Sequence, residues 1–126
     1  MPSSLRRRLL LAVNTDRDAT LSDGIWTTRC IHCKAKVSID ADGEPLGTTT
    51  LEHIVPRSWF SKKRPGELAE SLGNPDDARN LALACARCNW GKGSRHDHRG
   101  PEDPRTLEVV GALLRKRMQR FRENSP

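Results

Sequence analysis

Aromatic and apolar residues are scarce in this chain. It has no tyrosine, its aromatic residues make up 4% of the sequence, and its hydrophobic residues make up 35%. A chain of 126 residues has room for one modest core, and few apolar side chains are present to fill it. We therefore expect a single domain over residues 1–126 that needs a cross-link or a metal ion to stabilise it.

Long hydrophobic runs are also missing, which argues against a membrane-spanning chain. No stretch approaches the ~18 apolar residues that a membrane helix needs. The first residues, MPSSLRRRLLLAV, combine three arginines with a short apolar run, but no small-residue cleavage site follows. We interpret residues 4–13 as a helix of the folded domain and expect a cytoplasmic protein.

Acidic residues are outnumbered, 16 against 22 lysines and arginines, which gives a formal charge of +6. A small basic domain suggests a polyanionic partner, with nucleic acid first, although the same composition also suits simple solubility. The basic residues cluster apart from the acidic ones, which predicts a basic face. These clusters are Arg6–Arg8, Lys62–Arg64, and Arg115–Arg117 with Arg120 and Arg122.

The few cysteines form two pairs with two residues inside each pair. They are Cys30 and Cys33, then Cys85 and Cys88. This spacing turns two thiolates toward one ion, and two such knuckles complete a tetrahedral zinc site. Disulfides and a redox pair are the alternatives, but disulfides are rare in the cytoplasm and a redox pair needs no second pair. Four thiolates leave no open position, so we predict a structural Zn²⁺.

Three histidines lie near these motifs without a clear role. His32 is inside the first knuckle, where four sulfurs already fill the zinc shell, and we interpret it as a loop residue. His96 and His98 flank an aspartate in a polar linker. We interpret both as surface residues or phosphate contacts rather than as a second metal site.

The stretch LEHIVP places a carboxylate and an imidazole in an otherwise apolar run. Residues 48–55 are rich in β-branched residues and predict a strand that Pro56 closes. Imidazole titrates near neutral pH, so His53 can act as a general base, and Glu52 offers oxygens suited to magnesium. Neighbouring strand residues point to opposite faces, so both serve one site only if the strand ends or twists there. The alternative is a solvent-facing strand.

The second informative stretch is NLALACARCNWGKG. Residues 80–84 predict a strand that runs to the third cysteine, and a helix follows from residue 86. Asn89 then lies in the first turn of that helix, with Lys92 on the same face. Asn80 is placed to hydrogen-bond the loop between the strands. A zinc ion would bring this helix to the strand that carries His53.

Other segments have simpler predictions. Residues 14–24 are a polar loop, residues 37–39 a strand, residues 41–47 a turn, and residues 66–73 a short helix. The last helix runs from about 104 to 122, with Asp103 as its N-cap. Its apolar stripe is predicted to contain Leu107, Val110, Leu114 and Phe121.

Together, CxxC, EHIVPRS and NLALACxxCNxxK resemble the HNH endonuclease family in its zinc-knuckle branch, over about residues 26–95. The resemblance implies an α+β fold: a small ββα-metal core stapled by the four-cysteine zinc site, with flanking N- and C-terminal helices. It also implies DNA cleavage that leaves 5′-phosphate and 3′-hydroxyl ends, with Mg²⁺ or Mn²⁺ as the catalytic ion. In that scheme His53 is the general base, Asn80 orients the loop and the base, Glu52 and Asn89 hold the ion, and Lys92 faces the scissile phosphate. Many members have aspartate at the position of Glu52 and histidine at that of Asn89.

A second hypothesis is a zinc-stapled nucleic-acid-binding module without catalysis. It explains the cysteines and the charge but not the combination of Glu52, His53, Asn89 and Lys92. Under the first hypothesis the partner is double-stranded DNA. One active site cuts one strand at a time, so double-strand cleavage would suggest a homodimer. The last helix is then either the dimer interface or packed on its own domain.

Overall fold

The computed structural model describes residues 3–90 and 99–123. The strands are β1 Thr20–Ser22, β2 Ile25–Arg29, β3 Lys36–Asp40, β4 Pro45–Leu46, β5 Thr49–His53 and β6 Leu81–Cys85. The helices are α1 Ser3–Asn14, α2 Arg57–Phe60, α3 Glu67–Leu72, the 3₁₀ helix η1 Ala78–Asn80, α4 at residues 86–90, and α5 Pro104–Arg120. This mixture confirms the predicted α+β class. Across the described residues, no helix is both long and apolar enough to cross a membrane.

The first sheet has the strand order β1-β2-β3-β4, and its first hairpin corrects the prediction of a polar loop over residues 14–24. Ser22 pairs with Ile25, so only Asp23 and Gly24 connect the two strands. Both have positive φ, 52° and 75°, as in the two-residue turn whose twist matches antiparallel strands. The Asp-Gly dipeptide is a hairpin signal, but the polar residues around it give the segment the composition of a loop. Pro45–Leu46 likewise forms a short strand inside the predicted turn.

The second sheet pairs β5 with β6, and α4 follows directly. In its antiparallel register Glu52 lies opposite Ala82, and His53 lies opposite Leu81. The strand ends at His53, two residues earlier than predicted. The predicted ββα unit is therefore confirmed, and its first strand ends at the imidazole.

Most of the core lies between α1 and the two sheets. Leu9 and Val13 of α1 are buried with Ile39 of β3 and with Leu81 and Leu83 of β6. A second cluster joins α2, α3 and α5 and contains Val55, Trp59, Ala69, Leu72 and Val110. The contacts of the first cluster fix the position of α1 on β6, the strand that leads to the second cysteine pair.

The last helix packs on its own domain through part of the predicted stripe, since Val110 and Leu114 contact the core. Asp103 caps it, because its side chain accepts a hydrogen bond from the Thr106 backbone N–H at 3.0 Å. Val110 and Leu113 are buried, but Leu107 is 38% exposed. The helix ends at Arg120, because Phe121 has extended backbone angles and pairs with Asp16 across an isolated bridge.

Arg117 does not belong to the predicted basic face. Its side chain is 2% exposed and donates hydrogen bonds to backbone oxygens of α1, η1 and β6. Arg120 is also engaged, in an ion pair with Asp16 at 2.6 Å. Among the residues from 115 to 117, only Arg115 and Lys116 remain exposed. Helical periodicity explains the difference, since position 117 follows 110 and 113 on the buried side.

Candidate functional site

The four cysteines come together at one point between the two sheets. Their sulfur atoms all lie within 4.8 Å of one another, and the Cys33 and Cys85 sulfurs are 3.9 Å apart. Sulfurs bound at about 2.3 Å around a tetrahedral zinc ion lie roughly 3.8 Å apart. The cysteines form no disulfides. The cluster therefore has the spacing and the donor chemistry of a four-cysteine zinc site.

Backbone contacts hold the two knuckles together. The first lies between β2 and β3, where Ile31 donates to the backbone oxygen of Leu83 on β6 at 3.2 Å. The Cys85 backbone N–H points at the Cys30 sulfur at 3.4 Å. Burial and the neighbouring thiols raise the pKa of Cys88 to about 12. A cation is what allows such crowded sulfurs to be thiolates together.

Glu52 is almost fully buried, with 1% of its surface exposed. Its Oε1 is in hydrogen-bond contact with Nε2 of His32. His32 is thus a loop residue, as predicted, but its side chain also reaches the site. Its position inside the knuckle explains the contact, because the zinc cluster brings that turn against the strand carrying Glu52.

Asn89 crosses from α4 to the strand that carries Glu52 and His53. Its amide Nδ2 donates to Thr50 Oγ1 at 3.1 Å and to the Leu51 backbone oxygen at 2.9 Å. A carbonyl oxygen can only accept, so these bonds fix which end of the amide faces the strand. The amide oxygen of Asn89 is then the end that can bind a cation, and Leu51, which the amide NH₂ contacts, directly precedes Glu52 on β5. Carboxylate and amide oxygens are the kind of donor that magnesium and manganese prefer.

Asn80 is fully buried and clamps two loops to each other. Its Oδ1 accepts from the Val55 backbone N–H at 2.7 Å, and its Nδ2 donates to the Val55 and Pro75 oxygens at 3.1 and 3.0 Å. Val55 follows β5, and Pro75 precedes η1. The side chain therefore fixes the end of the strand that carries His53 relative to the loop that faces it.

His53 contacts that loop through Asp76, a residue without a predicted role. His53 Nε2 is 2.8 Å from Asp76 Oδ1, and Arg8 of α1 donates to Asp76 Oδ2 at 2.9 Å. Burial lowers the pKa of His53, and the charge of Arg57 also lowers it, while Asp76 raises it. The net effect is a pKa below the ordinary value, so the imidazole is neutral and basic at physiological pH. Asp76 is one of two adjacent aspartates in a polar loop, and no spacing rule in the sequence singles it out.

Three residues with sequence-based roles lie outside the described residues. They are Lys92, predicted to face the scissile phosphate, and His96 and His98. In the described part of the site, β5 carries Glu52 and His53, Asn89 is bonded to that strand, and Asn80 fixes the strand's end.

Comparison with known families agrees with this geometry. A family model described as HNH endonuclease matches residues 30–95, just over half of the chain. No curated protein and no solved structure is significantly similar to the chain. The matched segment contains both knuckles, β5 and β6, whereas α1 and α5 lie outside it.

Proposed function

Because the chain belongs to the HNH endonuclease family, we propose that it is a metal-dependent endonuclease that hydrolyses phosphodiester bonds of DNA. His53 is the general base, and Glu52 and Asn89 hold the catalytic Mg²⁺ or Mn²⁺. The observation that carries the proposal is the pair of hydrogen bonds from Asn89 to Thr50 and Leu51. They join the amide to the strand immediately before the carboxylate and the imidazole.

The reaction needs one proton acceptor and one means of stabilising negative charge. Neutral His53 accepts a proton from a water molecule, whose oxygen attacks the phosphorus. The bond from phosphorus to the 3′ oxygen breaks, and that oxygen takes a proton from solvent to become a hydroxyl. The divalent ion, when bound, stabilises charge on the phosphate and on the leaving oxygen. Lys92 adds a positive charge toward the scissile phosphate, and Asn80 keeps the strand end and its loop in place.

DNA is the substrate that the charge distribution favours. Exposed basic residues follow β5 directly, at Arg57 and in the segment Lys62–Arg64. Arg57 is close enough for its charge to lower the pKa of His53, and so it also lies close enough to attract a phosphate. We propose double-stranded DNA as the partner, with two copies of the chain acting together where both strands are cut.

The four cysteine ligands favour a particular cellular compartment for the protein. Thiolate ligands must stay reduced, and the cytoplasm is the compartment that keeps them so. We therefore propose a cytoplasmic nuclease with one structural zinc ion and one exchangeable catalytic ion.

A plasmid-nicking assay with magnesium or manganese tests the function. His53→Ala should lower the cleavage rate by about 10²- to 10⁴-fold, the usual cost of losing a general base, while DNA binding persists. Glu70→Ala, which removes an exposed carboxylate on α3, serves as the control and should cut normally. A wild-type protein that binds DNA but never cuts it would instead support the zinc-stapled binding module.

A further inference from the structure

We propose that Asp76 is a positioning residue for His53 and that Arg8 of α1 holds Asp76 in place. The N-terminal helix, which lies outside the matched segment, would then be part of the active site. The inference rests on the proposed role of His53 as the base. It assigns which ring nitrogen accepts the proton and which residues determine this.

The contact between the imidazole and the carboxylate determines the tautomer. Asp76 Oδ1 is 2.8 Å from His53 Nε2, and an ionised carboxylate can only accept a hydrogen bond. In the neutral ring the hydrogen therefore lies on Nε2, and the lone pair lies on Nδ1. Nδ1 is then the atom that accepts the proton from water.

Asp76 is held from three directions. Its backbone N–H donates to Asn74 Oδ1 at 2.8 Å, and the neighbouring Pro75 oxygen accepts from the clamp residue Asn80 at 3.0 Å. Arg8 donates to Oδ2 at 2.9 Å, the oxygen that does not face His53. Burial would raise the pKa of Asp76, but the hydrogen bond with His53 and the charge of Arg8 together hold it below its ordinary value. The carboxylate is thus kept ionised and correctly oriented.

The position of Arg8 is set by the core rather than by the loop. The next residue, Leu9, is 1% exposed, and Val13 one turn later is completely buried. Both belong to the cluster that includes Leu81 and Leu83 of β6. The guanidinium therefore reaches Asp76 from a helix that is packed against the second strand of the ββα unit.

Asp76→Asn gives a sharp test, because Arg8 determines how the new amide is oriented. Arg8 has only donors, so it requires the amide oxygen, and the NH₂ group then faces His53 Nε2. Since NH₂ can only donate, the ring must carry its hydrogen on Nδ1, which removes the basic lone pair from that atom. We expect Asp76→Asn to lower kcat by roughly 10²-fold with little change in KM, and to be more harmful than Asp76→Ala.

Removing Arg8 should partly reverse that defect. In the double variant Arg8→Met with Asp76→Asn, the amide is free to present its oxygen to Nε2, and kcat should recover about 10-fold over Asp76→Asn alone. Arg7→Met is the matched control, because Arg7 is an exposed arginine on the same helix. Combined with Asp76→Asn, it should restore nothing. Zinc content and thermal melting should be unchanged in all these variants.

Nitrogen-15 NMR of the His53 ring provides a readout that needs no activity. At a pH above the ring pKa, the wild-type protein should show the Nε2–H tautomer, and Asp76→Asn should show the Nδ1–H tautomer. A wild-type Nδ1–H tautomer, or an Asp76→Asn variant with normal tautomer and normal kcat, would overturn the proposal. If the wild-type protein shows the expected tautomer but cuts no DNA, the proposed function fails while the positioning by Asp76 stands.

Discussion

Replacing Arg117 by methionine should destabilise the domain, although a cluster of basic residues near a chain end usually forms a solvated surface. Burial lowers the pKa of this arginine to about 10, and the difference from its usual value of 12.5 corresponds to roughly 3 kcal/mol against the charged form in the folded state. The hydrogen bonds must outweigh that cost. Nε donates to the Leu81 oxygen at 2.7 Å, Nη1 to the Thr15 oxygen at 3.0 Å, and Nη2 to Thr15 Oγ1 at 2.6 Å.

The expected loss follows from these three bonds, the shortest of the five that the Arg117 side chain donates. Hydrogen bonds from a charged donor contribute about 1.5–3 kcal/mol each. Three such bonds amount to about 4.5–9 kcal/mol, and after the burial cost is subtracted a net of roughly 1.5–6 kcal/mol remains. Methionine fills similar space, but it leaves the Leu81 and Thr15 acceptors without this donor in a buried place. It also removes the stacking of the guanidinium over Phe121, whose ring centre is 5.3 Å away.

Urea unfolding at neutral pH with zinc present measures this difference. Lys116→Met is the matched control, since Lys116 is the exposed neighbour on the same helix, and it should change the free energy of unfolding by less than about 0.5 kcal/mol. If Arg117→Met is as stable as that control, the hydrogen bonds do not outweigh the burial of the charge, and the reasoning is wrong.

Three further predictions concern the metals and DNA. The purified protein should contain about one zinc ion per chain, and Cys85→Ser should unfold it, because zinc binding contributes on the order of 10 kcal/mol to folding; a folded, active preparation without zinc by elemental analysis would contradict this. DNA affinity should fall steeply as the salt concentration rises. The double variant Arg115→Gln with Lys116→Gln should make the slope of log affinity against log salt concentration shallower by about two, without changing the melting temperature. An unchanged slope would exclude both residues from phosphate contact. Brief mild chelation should stop cleavage while zinc remains bound, because carboxylate and amide oxygens hold their ion less tightly than four thiolates hold zinc. Added magnesium or manganese should restore cleavage. The variant Glu52→Asp should stay active in the same assay. If zinc and activity were always lost together and neither magnesium nor manganese restored cleavage, the proposal of separate structural and catalytic ions would be refuted.

The ββα unit and the zinc cluster could be predicted from the sequence because their signals are local. Two knuckles of fixed spacing specify a tetrahedral site, while the β-branched residues of 48–55 and the short apolar run of 80–84 indicate two strands. The hairpin at Asp23 and Gly24 was missed because an exposed three-residue strand has no buried face to give it a pattern. Boundaries such as the end of β5 depend on the clamp made by Asn80, which is a tertiary contact.

The partners of the site residues were not predictable, and the reason is physical. Asp76, Arg8 and His32 are polar residues in segments where polarity is expected, so composition and periodicity give them no distinct signal. Their contacts come from three different places: a loop before η1, a helix outside the matched segment, and the turn between two cysteines. Only the packing of α1 on β6 and the closure of the zinc cluster bring them to β5. Arg117 illustrates the converse, because its charge suggested a surface position that its packing excludes.

The position of the zinc cluster means that its role is not confined to stability. His32 lies between Cys30 and Cys33 and contacts Glu52, while Asn89 directly follows Cys88 and bonds to the strand beside Glu52. Each knuckle thus carries or adjoins one residue that touches β5, the strand of the proposed metal ligand Glu52. Losing the zinc would release both residues at once, so cleavage should decline as soon as the knuckles separate, even before the sheets unfold. Activity and zinc content must for this reason be measured on the same sample, because only a sample that has lost activity and kept its zinc isolates the catalytic ion.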